Sequence, residues 1–128
     1  MSRILFTLII IFSPSTNAAV INLTTTTQIK MELVKPGPKV LLYYTDWCPS
    51  CQEFKPTYKR LSNSIPNVKF YSMNSDKVRL KEHNFSYIPY MYVGKSSDDL
   101  RNHPCIDLNS VERTIPILKQ TIRECLNK

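Results

Sequence analysis

Nowhere in the 128-residue sequence is there a run of about 20 apolar residues, the length a membrane-spanning helix requires. The apolar stretch from Ile4 to Phe12 ends at Ser13 and Pro14 after roughly half that length. It follows one positive charge at Arg3 and precedes small residues ending in Ala18 and Ala19, the layout of a cleaved signal peptide rather than an anchor. Residues 1–19 are therefore expected to be a signal peptide. Residues 20–128 would then form one exported domain with no stable membrane insertion, large enough for one hydrophobic core. Basic runs and interleaved aromatic platforms are also missing. The formal charge of +7 is scattered over residues such as Lys55, Lys59, Arg60, Lys77, Arg79, Lys81, Arg101 and Arg113, which describes a solvated surface and argues against a nucleic-acid partner. There are no internal repeats or low-complexity segments.

What is present alternates between strand and helix patterns. Val20 to Leu23 reads as a strand, and Thr24 to Thr27 offers hydroxyl caps for a helix carrying Ile29, Leu33 and Val34. After the Pro36-Gly37-Pro38 turn, Val40 to Tyr44 is continuously apolar, as suits a strand buried on both faces. Phe54, Tyr58 and Leu61 follow at helical spacing, with Pro56 expected to kink that helix. Val68 to Met73 reads as a third strand, and Asp76 as the cap of a helix holding Val78, Leu80 and His83. Tyr90 to Val93 and Cys105 to Leu108 read as an antiparallel hairpin, and a last helix starts at Thr114 with Ile115, Leu118, Ile122 and Leu126 inward. The order βαβαβα then ββα implies an α/β fold, a mixed central sheet with helices on both faces.

Trp47-Cys48-Pro49-Ser50-Cys51 falls where the buried strand ends and a helix begins. Backbone N–H groups and the helix dipole stabilise a thiolate there, so Cys48 is expected to be the exposed nucleophile and Cys51, one turn on, the resolving thiol. Pro49 fixes the backbone. Ser50 supplies a neutral hydroxyl rather than an imidazolium, which implies an intermediate to reducing pair. Zinc would need two more convergent ligands, and Cys105, Cys125, His83 and His103 lack knuckle spacing, so neither a metal nor another cofactor is called for. An inert disulfide is the remaining alternative. His83 and His103 read as surface residues.

WCPSC after an apolar strand, Pro56 five residues past the second cysteine, and Ile88-Pro89 before a strand resemble the thioredoxin superfamily. Cys51 to Leu61 and Glu112-Arg113-Thr114-Ile115 look most similar to protein disulfide isomerase domains. The resemblance implies a thioredoxin fold and a cis Pro89 facing the redox pair. Substrate would lie extended along Ile88 and Pro89, the alternative being an ordinary edge proline. It implies cysteine-containing protein substrates, a redox-recycling partner, and an endoplasmic-reticulum or secreted location in a eukaryote or its virus, with a bacterial periplasm open. The family usually places a buried acid six residues before the first cysteine, to shuttle a proton to the resolving thiol. Leu42 stands there, so water or a neighbour such as Asp46 would have to substitute. The last four residues, Cys125-Leu126-Asn127-Lys128, are not a lumenal retention signal.

Cys105 opens the expected last strand and Cys125 closes the last helix, so a structural bridge between them is geometrically allowed. It would close a loop of about 20 residues and add roughly 3 kcal/mol; the alternative leaves Cys125 exposed and able to link chains. Asn22-Leu23-Thr24 and Asn84-Phe85-Ser86 match the glycosylation pattern. Tyr87, Tyr90 and Tyr92 flank Pro89 as strand packing or as an apolar contact for unfolded substrate. Two functions fit: a thiol/disulfide oxidoreductase working through Cys48 and Cys51, or a binding or chaperone-like module whose redox pair is vestigial or regulatory, which Leu42 would favour.

Overall fold

A strand without polar side chains must be covered on both faces. Val40 to Tyr44 meets that requirement at the centre of a four-stranded sheet, where every residue of the strand is buried. The computed structural model describes residues 20–102 and 106–128. Among these the strands are β1 (Ile21–Leu23), β2 (Lys39–Tyr44), β3 (Lys69–Asn74) and β4 (Tyr90–Gly94), and the helices are α1 (Thr26–Leu33), α2 (Pro49–Ser64), α3 (Ser97–Asn102) and α4 (Ile115–Leu126). The spatial order is β1-β3-β2-β4, with β3 parallel to both neighbours and β4 antiparallel to β2. The expected α/β architecture, a mixed sheet flanked by helices, is therefore what forms.

Period-two alternation divides β2 between two cores. Val40 and Leu42 pack with Phe54, Tyr58 and Leu61 of α2 and Leu118 and Ile122 of α4. Leu41 and Tyr43 face the other way, toward Ile29 and Leu33 of α1 and Leu100 of α3. Local signals fix the helix ends. The Thr25 hydroxyl accepts the Gln28 N–H at 3.1 Å and the Gln28 side chain accepts the Thr24 N–H at 2.9 Å, a reciprocal cap worth about 1 kcal/mol. Thr114 is the N-cap of α4, with Pro116 in its first turn. α2 runs on through Pro56, whose side chain is exposed.

Two elements depart from expectation. The helix after Asp76 does not form: the Asn74 side chain takes the Asp76 N–H at 3.0 Å and the Asn74 carbonyl takes those of Lys77 and Val78, and the chain then runs irregularly to Pro89. The physical reason is His83, which is 1 % exposed and not on the surface. Its Nδ1 pairs with the Tyr43 hydroxyl at 2.7 Å, its Nε2 with the Leu100 carbonyl at 2.9 Å, and its ring stacks on Tyr92 at 3.6 Å. Both ring nitrogens thus have a partner, Nε2 donating to the Leu100 carbonyl. The Tyr43 hydroxyl also accepts the Leu80 N–H at 3.1 Å. Val78, Leu80, Phe85 and Ile88 pack against the α1-side core, and Val78 and Leu80, two residues apart, would point to opposite sides of a helix.

The second departure lies beyond β4. The expected strand ending at Leu108 adds no fifth strand among the described residues. Ile106 and Leu108 enter the core while Asp107 turns the chain, its carboxylate accepting from Asn109 N at 2.9 Å and Ser110 Oγ at 2.6 Å. His103 and Cys105 lie outside the described residues, as does the expected signal peptide. Directly after β4, α3 forms. The Ser96 hydroxyl accepts the Asp99 N–H at 3.3 Å and the Asp99 carboxylate accepts the Lys95 N–H at 2.9 Å, a short capping box.

Candidate active site

The end of β2 hands the chain directly to α2, and Cys48 is the residue at the junction. It is the N-cap of α2 (φ −88°, ψ 112°), Pro49 opens the first turn, and the Cys48 sulfur accepts the Cys51 N–H at 3.2 Å. The sulfur thus occupies the position a capping oxygen fills elsewhere, against the positive end of the helix dipole. Both thiols are free. Cys48 is less open than expected, at 5 % exposure, because Ile88 packs against the cluster of Tyr44, Cys48 and Cys51. The residue standing out at this end is Trp47, 69 % exposed, with its indole N–H donating to the Asp76 carboxylate at 2.8 Å. Asp76, expected as a helix cap, orients Trp47 instead.

The loop entering β4 closes the other side. The Ile88–Pro89 bond is cis, and the Ile88 carbonyl lies 3.8 Å from the Cys48 sulfur, which donates to it. Of the three tyrosines around Pro89, Tyr92 is core, stacked on His83. Tyr87 and Tyr90 are half-buried and, with Arg79, Asn84 and Phe85, line an open pocket of about 440 Å³.

A third segment joins the two sides. Arg113 donates from Nη1 to the Ser50 hydroxyl at 2.8 Å, from Nε to the Leu108 carbonyl at 3.2 Å and from Nη2 to Asn109 Oδ1 at 3.3 Å. At the other end of that loop the Asp107 carboxylate accepts from the Tyr87 hydroxyl. Hydrogen bonds from Ser110, Tyr87 and Asn109 hold the Asp107 carboxyl below the usual range. Residues 107–113 therefore connect the dipeptide between the cysteines to the residue preceding Ile88. Glu112-Arg113-Thr114 was legible as a family pattern, but the contact of Arg113 with Ser50, 63 residues earlier, was not.

Cys51 is 1 % exposed. Burial first, then its contact with Cys48, pushes its thiol up to about 12, opposed by the Thr45 backbone and by the charge of Lys55. Asp46, the neighbour expected to take the place of the missing acid, is exposed and accepts instead from Asn74 Nδ2 at 3.3 Å. Leu42 is fully within the α2-side core. No three His, Cys, Asp or Glu side chains gather among the described residues as a metal site would require. Cys125 is buried and disulfide-bonded.

Residues 20–113 match the family model described as Thioredoxin. The chain belongs to the thioredoxin family. Among curated proteins it is 33 % identical over 70 residues to the thioredoxin Asp f 28 of Aspergillus fumigatus, a match covering 53 % of this chain and 65 % of that one. The chain spans between 32 % and 65 % of the length of the curated relatives it matches. Of solved structures, the thioredoxin of Trypanosoma brucei brucei superposes with a TM-score of 0.67 at 14 % identity, covering 88 % of this chain and 95 % of that one. A zinc-bound form of human ERp44 superposes at 0.65 and 18 % identity, covering 82 % of this chain and 31 % of its own. Identities this low carry the fold alone.

Proposed function

We propose that this thioredoxin-family domain is a thiol/disulfide oxidoreductase that exchanges disulfides with cysteine-containing protein substrates, Cys48 being the nucleophile and Cys51 the resolver. The observation carrying this reading is the Cys48 sulfur at the N-cap of α2, accepting the Cys51 N–H at 3.2 Å beside the Ile88 carbonyl. In the reducing direction Cys48 thiolate attacks a substrate disulfide, and one substrate sulfur leaves with its electron pair and takes up a proton. Cys51 thiolate then attacks the Cys48 sulfur of the mixed disulfide, closing the Cys48 to Cys51 bond as the second substrate sulfur departs. The backbone around Ile88 and Pro89 is placed to receive an extended substrate segment as an added strand. A separate redox partner would restore the dithiol. Cys105 is proposed as the structural partner of the disulfide-bonded Cys125.

Equilibration with glutathione buffers tests the assignment. A Cys48 to Cys51 potential at or below about −230 mV is expected from the Pro-Ser dipeptide, whereas a value near −180 mV would make the domain an oxidase or isomerase. A pair that never equilibrates would leave the binding-module reading, which the strongly raised Cys51 thiol and Leu42 otherwise favour.

The proposed setting is the endoplasmic-reticulum lumen or the secreted space, with residues 1–19 removed; the periplasm applies if the source is bacterial. Asn84 supports a lumenal test. It is exposed on an irregular segment, while Asn22 lies in β1 with its side chain accepting from Tyr44 OH at 3.1 Å and Ser72 Oγ at 2.9 Å. Expression of the full chain in secretory eukaryotic cells is expected to yield a single glycan, lost in Asn84→Gln and retained in Asn22→Gln. An unglycosylated product that stays in the cytosol would refute the setting.

A further inference from the structure

The mechanism leaves one step without an assigned group: something must favour a thiolate on Cys51, which is buried. Beside it, an open cleft of about 510 Å³ is lined by Leu42, Tyr44, Lys55, Tyr58, Lys59 and Ser72 among others, and no carboxylate lines it among the described residues. Tyr44 forms the wall between this cleft and both cysteines. Lys55 follows Cys51 by four residues on α2, which places the two on the same helical face. Its Nζ lies 4.1 Å from the centre of the Tyr44 ring, so the half-buried ammonium is held by the aromatic face rather than released to solvent.

We propose that Lys55 is a positioning residue for the resolving step, its ammonium, seated on the Tyr44 ring, stabilising the Cys51 thiolate at the edge of this cleft. The inference rests on the proposed exchange chemistry and adds the group that makes its second half feasible. The Cys51 proton is released to solvent as the thiolate forms. The thiolate attacks the Cys48 sulfur, the Cys48-to-substrate bond breaks, the Cys48 to Cys51 bond forms, and the substrate sulfur leaves with the electron pair and is protonated by solvent. The dithiol is oxidised and the substrate disulfide reduced.

Among the described residues, few titratable and charged groups lie on the elements packed around Cys51. Cys48 caps α2, Tyr44 and Asp46 end β2, Lys55 and Lys59 lie on α2, and Arg113 reaches Ser50 from the 107–113 loop. Cys48 carries no charge once it is in a mixed disulfide. Asp46 is turned to Asn74, Lys59 is exposed, and Arg113 is engaged by Ser50, Leu108 and Asn109. Lys55 is the cation that shares a helical face with Cys51 and a Tyr44 contact with it, and its charge is the smallest of the influences on the thiol, opposing the burial that pushes it up.

The test is iodoacetamide alkylation of Cys51 against pH in full-length Cys48→Ser protein, with Lys55 kept or changed. Between pH 7 and 9, where a lysine ammonium stays charged, Lys55→Met is expected to slow alkylation about three- to tenfold, a shift of the profile by about 0.5 to 1 unit, Lys55→Arg to restore it, and 1 M salt to shrink the difference. In the chain with both cysteines, Lys55→Met should slow resolution of a preformed mixed disulfide about three- to tenfold at pH 7, with attack by Cys48 unchanged. Superimposable alkylation profiles, or failure of arginine to rescue, overturn the proposal. Because alkylation needs no substrate, a domain that shows the Lys55-dependent shift yet exchanges no disulfide would overturn the exchange reading and leave the Lys55 to Cys51 coupling standing.

Discussion

Cys48→Ser is expected to reduce turnover of a disulfide-bonded test protein to background, a loss of about a thousandfold or more, without unfolding the domain. Serine can still cap α2 through its hydroxyl, so the helix keeps its N-terminal hydrogen bond while the nucleophile is lost. Cys51→Ser separates the two halves of the reaction. Cys48 still attacks, but nothing displaces the product, so a covalent adduct on Cys48 should accumulate and disappear on addition of reductant. A Cys51→Ser protein that traps no adduct, beside a Cys48→Ser protein that retains its partners, would make this a binding module. The tightly buried resolving thiol gives the expected asymmetry a physical basis. First attack needs only the sulfur at the helix mouth, whereas release needs a thiolate inside the apolar cluster of Tyr44, Cys48 and Cys51.

How much of this was readable beforehand depends on the sequence distance over which each feature is determined. The CxxC junction, the capping threonines and the buried β2 strand are local. Thr25 needs only Gln28, and Cys48 needs only the helix beginning after it. The segment from Ser75 to Pro89 is not local. His83 looked like part of a helical stripe with Val78 and Leu80, but its conformation is set by Tyr43, forty residues earlier, and by Leu100, seventeen later. Two side-chain hydrogen bonds and a ring stack outweigh a marginal helix, which isolated short segments do not sustain. Likewise the strand expected to end at Leu108 alternates correctly, yet Asp107 collects hydrogen bonds from Asn109 and Ser110 that bend the chain away from β4. Neither Lys55 over Tyr44 nor Arg113 on Ser50 could be found by spacing alone, because each depends on how the end of β2 or the last loop lies against α2.

The same long-range dependence makes Gly94 the most sensitive backbone position described. It ends β4 where α3 crosses, and a Cβ there would lie 2.3 Å from Leu100 N, 2.7 Å from Leu100 Cα and 3.0 Å from the Asp99 carbonyl carbon. All three are backbone atoms, so no rotamer change can relieve the clash, and α3 itself would have to move. Leu100 is fully buried, and its carbonyl pairs with His83 Nε2, so displacing α3 disturbs the histidine that orders the segment leading to Ile88 and Pro89. Gly94→Ala is therefore expected to cost about 3 kcal/mol or more, lowering Tm by more than about 10 °C. Gly37→Ala supplies the comparison. That residue has φ 106° but open space around it, so alanine there should cost only about 1 to 2 kcal/mol of backbone strain. Equal thermal shifts for the two variants would mean that α3 yields freely, and the coupling from β4 through His83 to the redox site would be lost with it. A larger shift at Gly94, accompanied by slower disulfide exchange well below the melting transition, would place α3 and His83 in the support of the cysteine pair.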